Sequence, residues 1–325
     1  MKAIIYQKYG AAEVLQVGDV AKPTPKDNEV LVKIQESLVT PSDIASRLGT
    51  PFIVRLFTGL IKPKIILGSD FAGEIEAVGK NVTLLKKGDR VFGSSSPNSG
   101  TNAEYICLPE DGTLTATPDT ITNEETAGIC DAAMTALTFL RDVAKIQSGQ
   151  TILINGASGS IGTFAIQLAK HFGATVTGVC STTNVDLVKA LGADVVIDYT
   201  NSDFTKNNDS YDVIFDAVGK SSFSQCKEAL KQGGVYLTTV PSLAIMGQML
   251  WTSKIGSKKA VFAATGLSQN KEKLDFLKAM LEEGTLKSVV DRRYSLEQIV
   301  EAHRYVETGH KKGNVIITLG QVNSI

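Results

Sequence analysis

A chain of 325 residues is long enough for about two domains and for a core that needs no disulfide or metal staple. Its 33 Lys+Arg against 34 Asp+Glu give a formal charge of -1, which excludes the basic footprint of a nucleic-acid partner, and 43% hydrophobic with 21% charged residues excludes a disordered chain. The longest apolar stretch, near Leu243 to Trp251, falls short of the ~20 residues of a membrane span, so no integral membrane segment is expected. Met1–Tyr6 is too short, and its continuation too polar, for a signal peptide, so a cytoplasmic protein is the expectation.

In chain order, the first 115 residues read as β-rich. Short β-branched runs at Lys2–Tyr6 and Glu29–Glu36 are bounded by Pro23, Pro25, Asp27 and Asn28. Further strands are predicted at Phe71–Val78, Arg90–Gly93 and Ala103–Leu108. After Pro118 the texture changes. Thr122-Asn123-Glu124-Glu125 is a helix start, with a capping hydroxyl and acids in the first turn. Strands at Thr151–Asn155, Thr175–Cys180, Val195–Asp198, Val213–Asp216 and Val235–Val240 then alternate with helices at Ile161–Phe172, Val185–Leu191 and Phe223–Lys231. That alternation predicts a parallel sheet covered on both faces. The tail reads as two helices, Lys271–Glu283 and Leu296–Thr308, and a final strand, Asn314–Leu319.

Cys107, Cys130, Cys180 and Cys226 lie far apart with no C-x-x-C pair, so they read as buried, reduced side chains. The segment that carries chemistry is Asn155-Gly156-Ala157-Ser158-Gly159-Ser160-Ile161-Gly162, a glycine-rich turn between a strand and a helix. Gly156 permits the tight turn, Gly159 the close approach of a diphosphate, and Gly162 the packing of helix on strand. The helix N-terminus then presents N–H groups and a positive dipole end to the phosphates. Gly156, Ala157, Ser158, Gly159, Ser160, Ile161 and Gly162 are therefore assigned to a dinucleotide. An NAD site places an acid at the end of the second strand. Here Val179-Cys180 is followed by Ser181-Thr182-Thr183-Asn184 without one, and Tyr199 ends the next strand. Hydroxyls at Ser181, Thr182 and Tyr199, with Asn184, favour the 2′-phosphate of NADPH.

Taken with Tyr9-Gly10, Pro41-Ser42-Asp43, Gly68-Ser69-Asp70-Phe71-Ala72-Gly73, Gly88-Asp89-Arg90-Val91-Phe92-Gly93, Ala103-Glu104-Tyr105, Lys189 to Asp194, Asp198-Tyr199 and Asp216-Ala217-Val218-Gly219, these residues resemble the medium-chain dehydrogenase/reductase superfamily. The likeness is to its zinc-lacking quinone oxidoreductase branch and the NADPH-dependent enone reductases within it. The resemblance implies an α/β fold with two parts. A GroES-like β-rich catalytic domain would take residues 1–120 plus 270–325, and a Rossmann domain with a doubly wound parallel sheet would take 121–269. It implies substrate bound in the cleft between them, a homodimer, and hydride transfer from NADPH to a quinone or an α,β-unsaturated carbonyl compound.

Further roles follow from the resemblance, from the place of Thr239 and Val240 at the carboxyl end of a parallel strand, and from the need for a hydroxyl such as Thr40 beside a developing oxyanion. Thr135, on a helix that approaches the nicotinamide in relatives, and Thr40 are the hydroxyls assigned to catalysis. Val218, Thr239, Val240 and Asn314 are assigned to the cofactor, Asn314 standing where many relatives carry Lys. The three zinc-ligand positions of the alcohol dehydrogenases fall on Thr40, Ser69 and Asp131, a poor set for zinc, so no metal is expected. Thr50-Pro51-Phe52 stands where some enoyl reductases carry an acidic Tyr, leaving solvent as the proton source. The alternatives are a zinc-type alcohol dehydrogenase and a catalytically silent NADPH-binding protein. Three readings are assigned a structural or open role. Of the histidines His171, His303 and His310, the first two are structural, Asp43 and Arg47 form a local i,i+4 ion pair, and Phe52–Leu67 is a loop that packs on the core, borders the substrate or touches a membrane.

Overall fold

The structure, a computed structural model, describes residues Met1–Leu319. Seven strands come first: β1 Lys2–Ile5, β2 Gln16–Asp19, β3 Glu29–Leu38, β4 Asp70–Val78, β5 Arg90–Ser94, β6 Tyr105–Pro109 and β7 Leu114–Ala116. Then β8 Thr151–Asn155, β9 Thr175–Cys180, β10 Val195–Asp198, β11 Tyr211–Asp216, β12 Leu230–Thr238 and β13 Lys259–Phe262 alternate with helices. Strands β14 Val290–Ser295 and β15 Asn314–Thr318 close the described chain. The helices are α1 Pro41–Leu48, α2 Arg55–Thr58, α3 Asn123–Ala127, α4 Cys130–Leu137, α5 Ser160–His171, α6 Val185–Ala190, α7 Phe223–Cys226, α8 Leu243–Lys254, α9 Lys271–Glu282 and α10 Ile299–Glu307.

The chain forms two compact units. Unit 1 takes Met1–Asp131, Gln269–Glu283 and the chain from Ser288 onward; unit 2 takes Ala132–Ser268 and Gly284–Lys287. In unit 1 the sheet runs β14-β15-β3-β4-β5-β7, with β6 paired to β3, and is antiparallel apart from β14 with β15. Period-2 patterning sets its core: Val30, Val32 and Ile34 of β3 pack with Phe71, Ile75, Val91 and Leu114, while Lys33 stays exposed. A second cluster joins Ile4, Val39 and Ile44 to Leu296, Ile299, Ala302 and Val306, so the amphipathic α10 is held by the start of the chain.

Unit 2 is an all-parallel sheet in the order β10-β9-β8-β11-β12-β13. The order reverses between β8 and β11, which makes the carboxyl ends of those strands the switch point where open α/β sheets bind ligands. Leu153, Val179, Ile214, Leu230 and Tyr236 fill its core. Both halves of the expected fold class, a β-rich unit and a Rossmann unit, are present.

Two expectations are corrected. The helix read as Phe223–Lys231 ends at Cys226, and β12 already begins at Leu230. The strand accommodates Gly233 in the left-handed region, φ 80°, by a shift in its register with β11, an interruption that hid it from period-2 reading. Asp43 and Arg47 do not pair with each other. Asp43 accepts from Thr40 and Gly68, and the buried Arg47 donates to Glu307 of α10 at 2.8 Å. The cysteines are free, with Cys130, Cys180 and Cys226 buried and Cys107 partly so. Among the described residues no helix is long and apolar enough to cross a membrane.

Candidate functional site

The glycine turn of unit 2 is built as its residue types demand. Gly156 follows β8 at φ 79°, a left-handed conformation open to glycine, and a Cβ there would meet Val218 Cγ1 at 2.3 Å. At Gly162 an added Cβ would lie 2.2 Å from the Gly156 carbonyl oxygen, so only glycine lets α5 sit this close to β8. At Gly159 an added Cβ would have only the Gly156 carbonyl oxygen within 4 Å, at an ordinary contact distance of 3.4 Å, so the backbone there is uncrowded. Gly159 is also the N-cap of α5, and no side chain caps the helix. The first-turn N–H groups have no acceptor within a helix, and the dipole end is positive. Such a cradle fits the diphosphate of a dinucleotide.

The loop after β9 is tied to this turn. Asn184 Nδ2 donates to Ser158 Oγ at 3.0 Å and to Ser181 Oγ at 3.2 Å. Thr182 Oγ1 donates at 2.6 Å to Asp198, the last residue of the neighbouring strand β10. Asp198 also accepts from Thr200 Oγ1 and Asn201 Nδ2, and these bonds, that from Thr182 foremost, hold its carboxyl below the usual carboxylate range. Asp198 was missed as a functional candidate. The rule that looks for an acid about 20 residues on scans one strand end, and this acid arrives from the next strand. Tyr199 is exposed and lines an open hollow of about 410 Å³ together with Lys206.

On the other side of β8 stands Asp216, fully buried at the end of β11. Its carboxylate accepts from Asn155 Nδ2, from the backbone N–H of Gly219 and Ser221, and from Tyr236 OH at 2.9–3.1 Å, with longer bonds from the backbone N–H of Val218 at 3.3 Å and of Lys220 at 3.4 Å. One side chain thus fixes the turn from Val218 to Ser221 against the glycine turn. Val240 packs where a Cβ on Gly219 would stand, and Thr239 Oγ1 donates to the Ala217 carbonyl at 3.2 Å. Gly156, Val218, Gly219 and Val240 therefore line up along the carboxyl ends of β8, β11 and β12. Thr135, buried in α4, shares a 3.1 Å hydrogen bond with Thr265 Oγ1 in which either hydroxyl can donate.

Thr40 and Asn314 belong to unit 1. Thr40 caps α1 in a capping box: its hydroxyl donates to Asp43 Oδ2 at 2.8 Å and accepts from Asp43 N. Asn314 is buried, its amide donating to the Gly128 carbonyl at 3.0 Å and to Ser288 Oγ. Three carboxylates gather in the same unit. Asp43 and Asp70 are buried, Asp131 is partly so, and burial pushes all three up; Asp70 is raised further by Asp131. Gln269 Nε2 donates to Asp131 Oδ1 at 2.7 Å. Burial lowers Lys311 to about 8 against the pull of Asp291 and Asp131. The donor set at the zinc-ligand positions does not fit zinc. Thr40 is engaged in a cap, Asp131 is bonded to Gln269, and among the described residues no three of His, Cys, Asp and Glu are disposed around one point.

Comparison with known proteins agrees with this arrangement. Residues 26–119 match the family described as alcohol dehydrogenase GroES-like domain, and residues 191–317 match the one described as zinc-binding dehydrogenase. The chain is 34% identical to a 2-methylene-furan-3-one reductase of Solanum lycopersicum, over 98% of this chain and 79% of that one. It is 31% identical, with the same coverage, to an NADPH-dependent alkenal/one oxidoreductase, chloroplastic, of Arabidopsis thaliana. The solved quinone oxidoreductase from Coxiella burnetii superposes with a TM-score of 0.88 at 29% identity, covering 98% of this chain and 99% of that one. With a glycine turn at a sheet switch point, a β-rich partner unit and full-length likeness to these enzymes, the chain belongs to the medium-chain dehydrogenase/reductase superfamily, among its quinone oxidoreductase and enone reductase members.

Proposed function

We propose that this protein is an NADPH-dependent reductase of quinones or α,β-unsaturated carbonyl compounds that works without zinc. The observation that carries the reading is the Gly156–Gly162 cradle within a chain alike over 98% of its length to a 2-methylene-furan-3-one reductase. When bound, the reduced nicotinamide supplies a hydride from its C4, and negative charge develops on the acceptor's oxygen.

The chain's own residues do the rest. The N–H groups opening α5 hold the diphosphate, with Ala157 and Ser158 shaping the turn and Ser160 and Ile161 the first helical positions. Ser181, Thr182, Asn184 and Tyr199 receive the adenosine ribose, and Lys206 beside Tyr199 supplies the charge that favours a 2′-phosphate. Val218, Thr239 and Val240 form a wall at the strand ends. Of the two hydroxyls proposed for catalysis, Thr135 has the freer proton for a developing oxyanion. Its bond to Thr265 can run in either direction, so its own proton is available when Thr265 donates. The Thr40 proton is taken up by Asp43, and donation to substrate requires exchange of that bond. Asn314 contributes by positioning, through Gly128 and Ser288. A homodimer joined at β13, the edge strand of the parallel sheet, and a cytoplasmic site complete the proposal.

The test is NADPH absorbance followed with small quinones, alkenals and enones, beside NADH as donor. Turnover with NADPH across part of that panel is the expected result. NADPH that binds but is oxidised by no acceptor would sink the enzyme reading, and a need for added zinc would replace it with the alcohol dehydrogenase one.

A further inference from the structure

One segment of unit 1 has its polarity turned outward. From Phe52 to Ile61 six large apolar side chains, Phe52, Ile53, Leu56, Phe57, Leu60 and Ile61, face solvent, with Phe57 77% and Ile61 92% exposed. The polar groups point the other way. Thr58 is buried; its hydroxyl lies 2.7 Å from Tyr9 OH and donates to the Val54 carbonyl at 3.1 Å. Arg55 Nε donates to the Gly49 carbonyl at 3.0 Å, and its guanidinium lies 4.6 Å over the Tyr9 ring. Lys64 N closes the segment onto the Thr58 carbonyl at 2.9 Å. Polar anchors thus hold the apolar tips outward, the reverse of what packing on a core requires, so the reading of Phe52–Leu67 as a core-packed loop holds for Ile65 and Leu67, which pack with Ile4 and Val39, and is corrected for Phe52–Ile61.

A contiguous exposed apolar patch of this kind marks an interaction surface. Its charge says which. Arg55, Lys62 and Lys64 accompany the apolar residues, Lys62 and Lys64 are exposed, and no Asp or Glu occurs between Asp43 and Asp70. Pairing with a second copy about a two-fold axis would set these cations against their own equivalents. Apolar tips rimmed by long basic side chains suit a negatively charged bilayer, with the tips entering the acyl boundary and the lysines reaching the headgroups. We infer that the Phe52–Lys64 face docks this protein on an anionic lipid surface.

The inference does not rest on hydride transfer, and its test is read without turnover. The full chain is sedimented with vesicles of phosphatidylcholine alone and of phosphatidylcholine with phosphatidylglycerol, at low and raised salt. Binding is expected on the anionic vesicles, weaker at raised salt and weaker on phosphatidylcholine alone. The double substitution Phe57→Ser, Ile61→Ser should lower the bound fraction about tenfold or more, and Lys62→Glu with Lys64→Glu should abolish the preference for anionic lipid. Because the substituted side chains are exposed, thermal melting should match the parent and show the variants folded. No binding by the parent, equal binding by either variant, or a patch variant that only dissociates an oligomer overturns the inference.

Discussion

Single residues at the glycine turn are constrained by backbone, not by side-chain neighbours that can move. A Cβ on Gly162 meets the Gly156 carbonyl and Ala157 Cα at 2.2 and 2.8 Å, so Gly162→Ala must push α5 away from β8. We expect a loss of about 2 kcal/mol in unfolding free energy and a weaker NADPH affinity by about tenfold or more, read by denaturant titration and calorimetry, because the N–H groups move with the helix. Asp198 acts differently. It draws the Thr182 and Thr200 hydroxyls toward itself and places a negative charge beside the loop proposed for the 2′-phosphate. Asp198→Asn removes that charge, so KM for NADPH should fall about fivefold with KM for NADH little changed. Equal changes for both coenzymes would show that the loop does not read the phosphate.

At the scale of elements, the helix caps explain local order and separate structure from chemistry. α1 begins at Thr40 with Pro41 in its first turn and Asp43 closing the box, and it ends at Gly49 with φ 63°. α3 repeats the device with Thr122 and Glu125. Both are written in the chain as a hydroxyl followed three residues later by an acid, which is why the α3 start was legible. The same pattern at Thr40 was read through the i,i+4 spacing of Asp43 and Arg47 instead. Thr40→Val should cost about 1 kcal/mol of stability through the lost cap while kcat changes less than in Thr135→Val. The comparison of melting with turnover checks it; a collapse of kcat in Thr40→Val with unchanged melting would give Thr40 the catalytic hydroxyl.

At the scale of the whole molecule, α10 carries a titrating group where water does not reach. His303 is fully buried between Arg47 and the apolar cluster of Ile299, Ala302 and Val306, and burial with the nearby guanidinium lowers it to about 3. An unfolded chain binds the imidazole proton below about 6.5 whereas the folded chain binds it only near 3. Its contribution to stability is therefore complete above that upper value and is lost as pH falls through the window between them. The parent should lose about 2 kcal/mol more than His303→Leu between pH 7 and pH 4.5, measured by urea unfolding at both pH values. The raised carboxylates of unit 1 titrate with the opposite sign and are common to both proteins, so the difference isolates the imidazole.

Local chemistry was legible without coordinates. A strand, three spaced glycines and a helix announce a phosphate cradle because each glycine answers to neighbours within a few residues, and alternating strands and helices announce the parallel sheet that carries it. Contacts between distant segments were decided by the fold alone. Asp198 reaches Thr182 only because β10 lies beside β9, Asn314 reaches Gly128 across 186 positions, and Asp70 reaches Asp131 across 61. The outward face at Phe57 was equally hidden: hydrophobic residues in a row look the same whether they enter a core or leave it, and only the buried Thr58 and the anchored Arg55 establish which way they point.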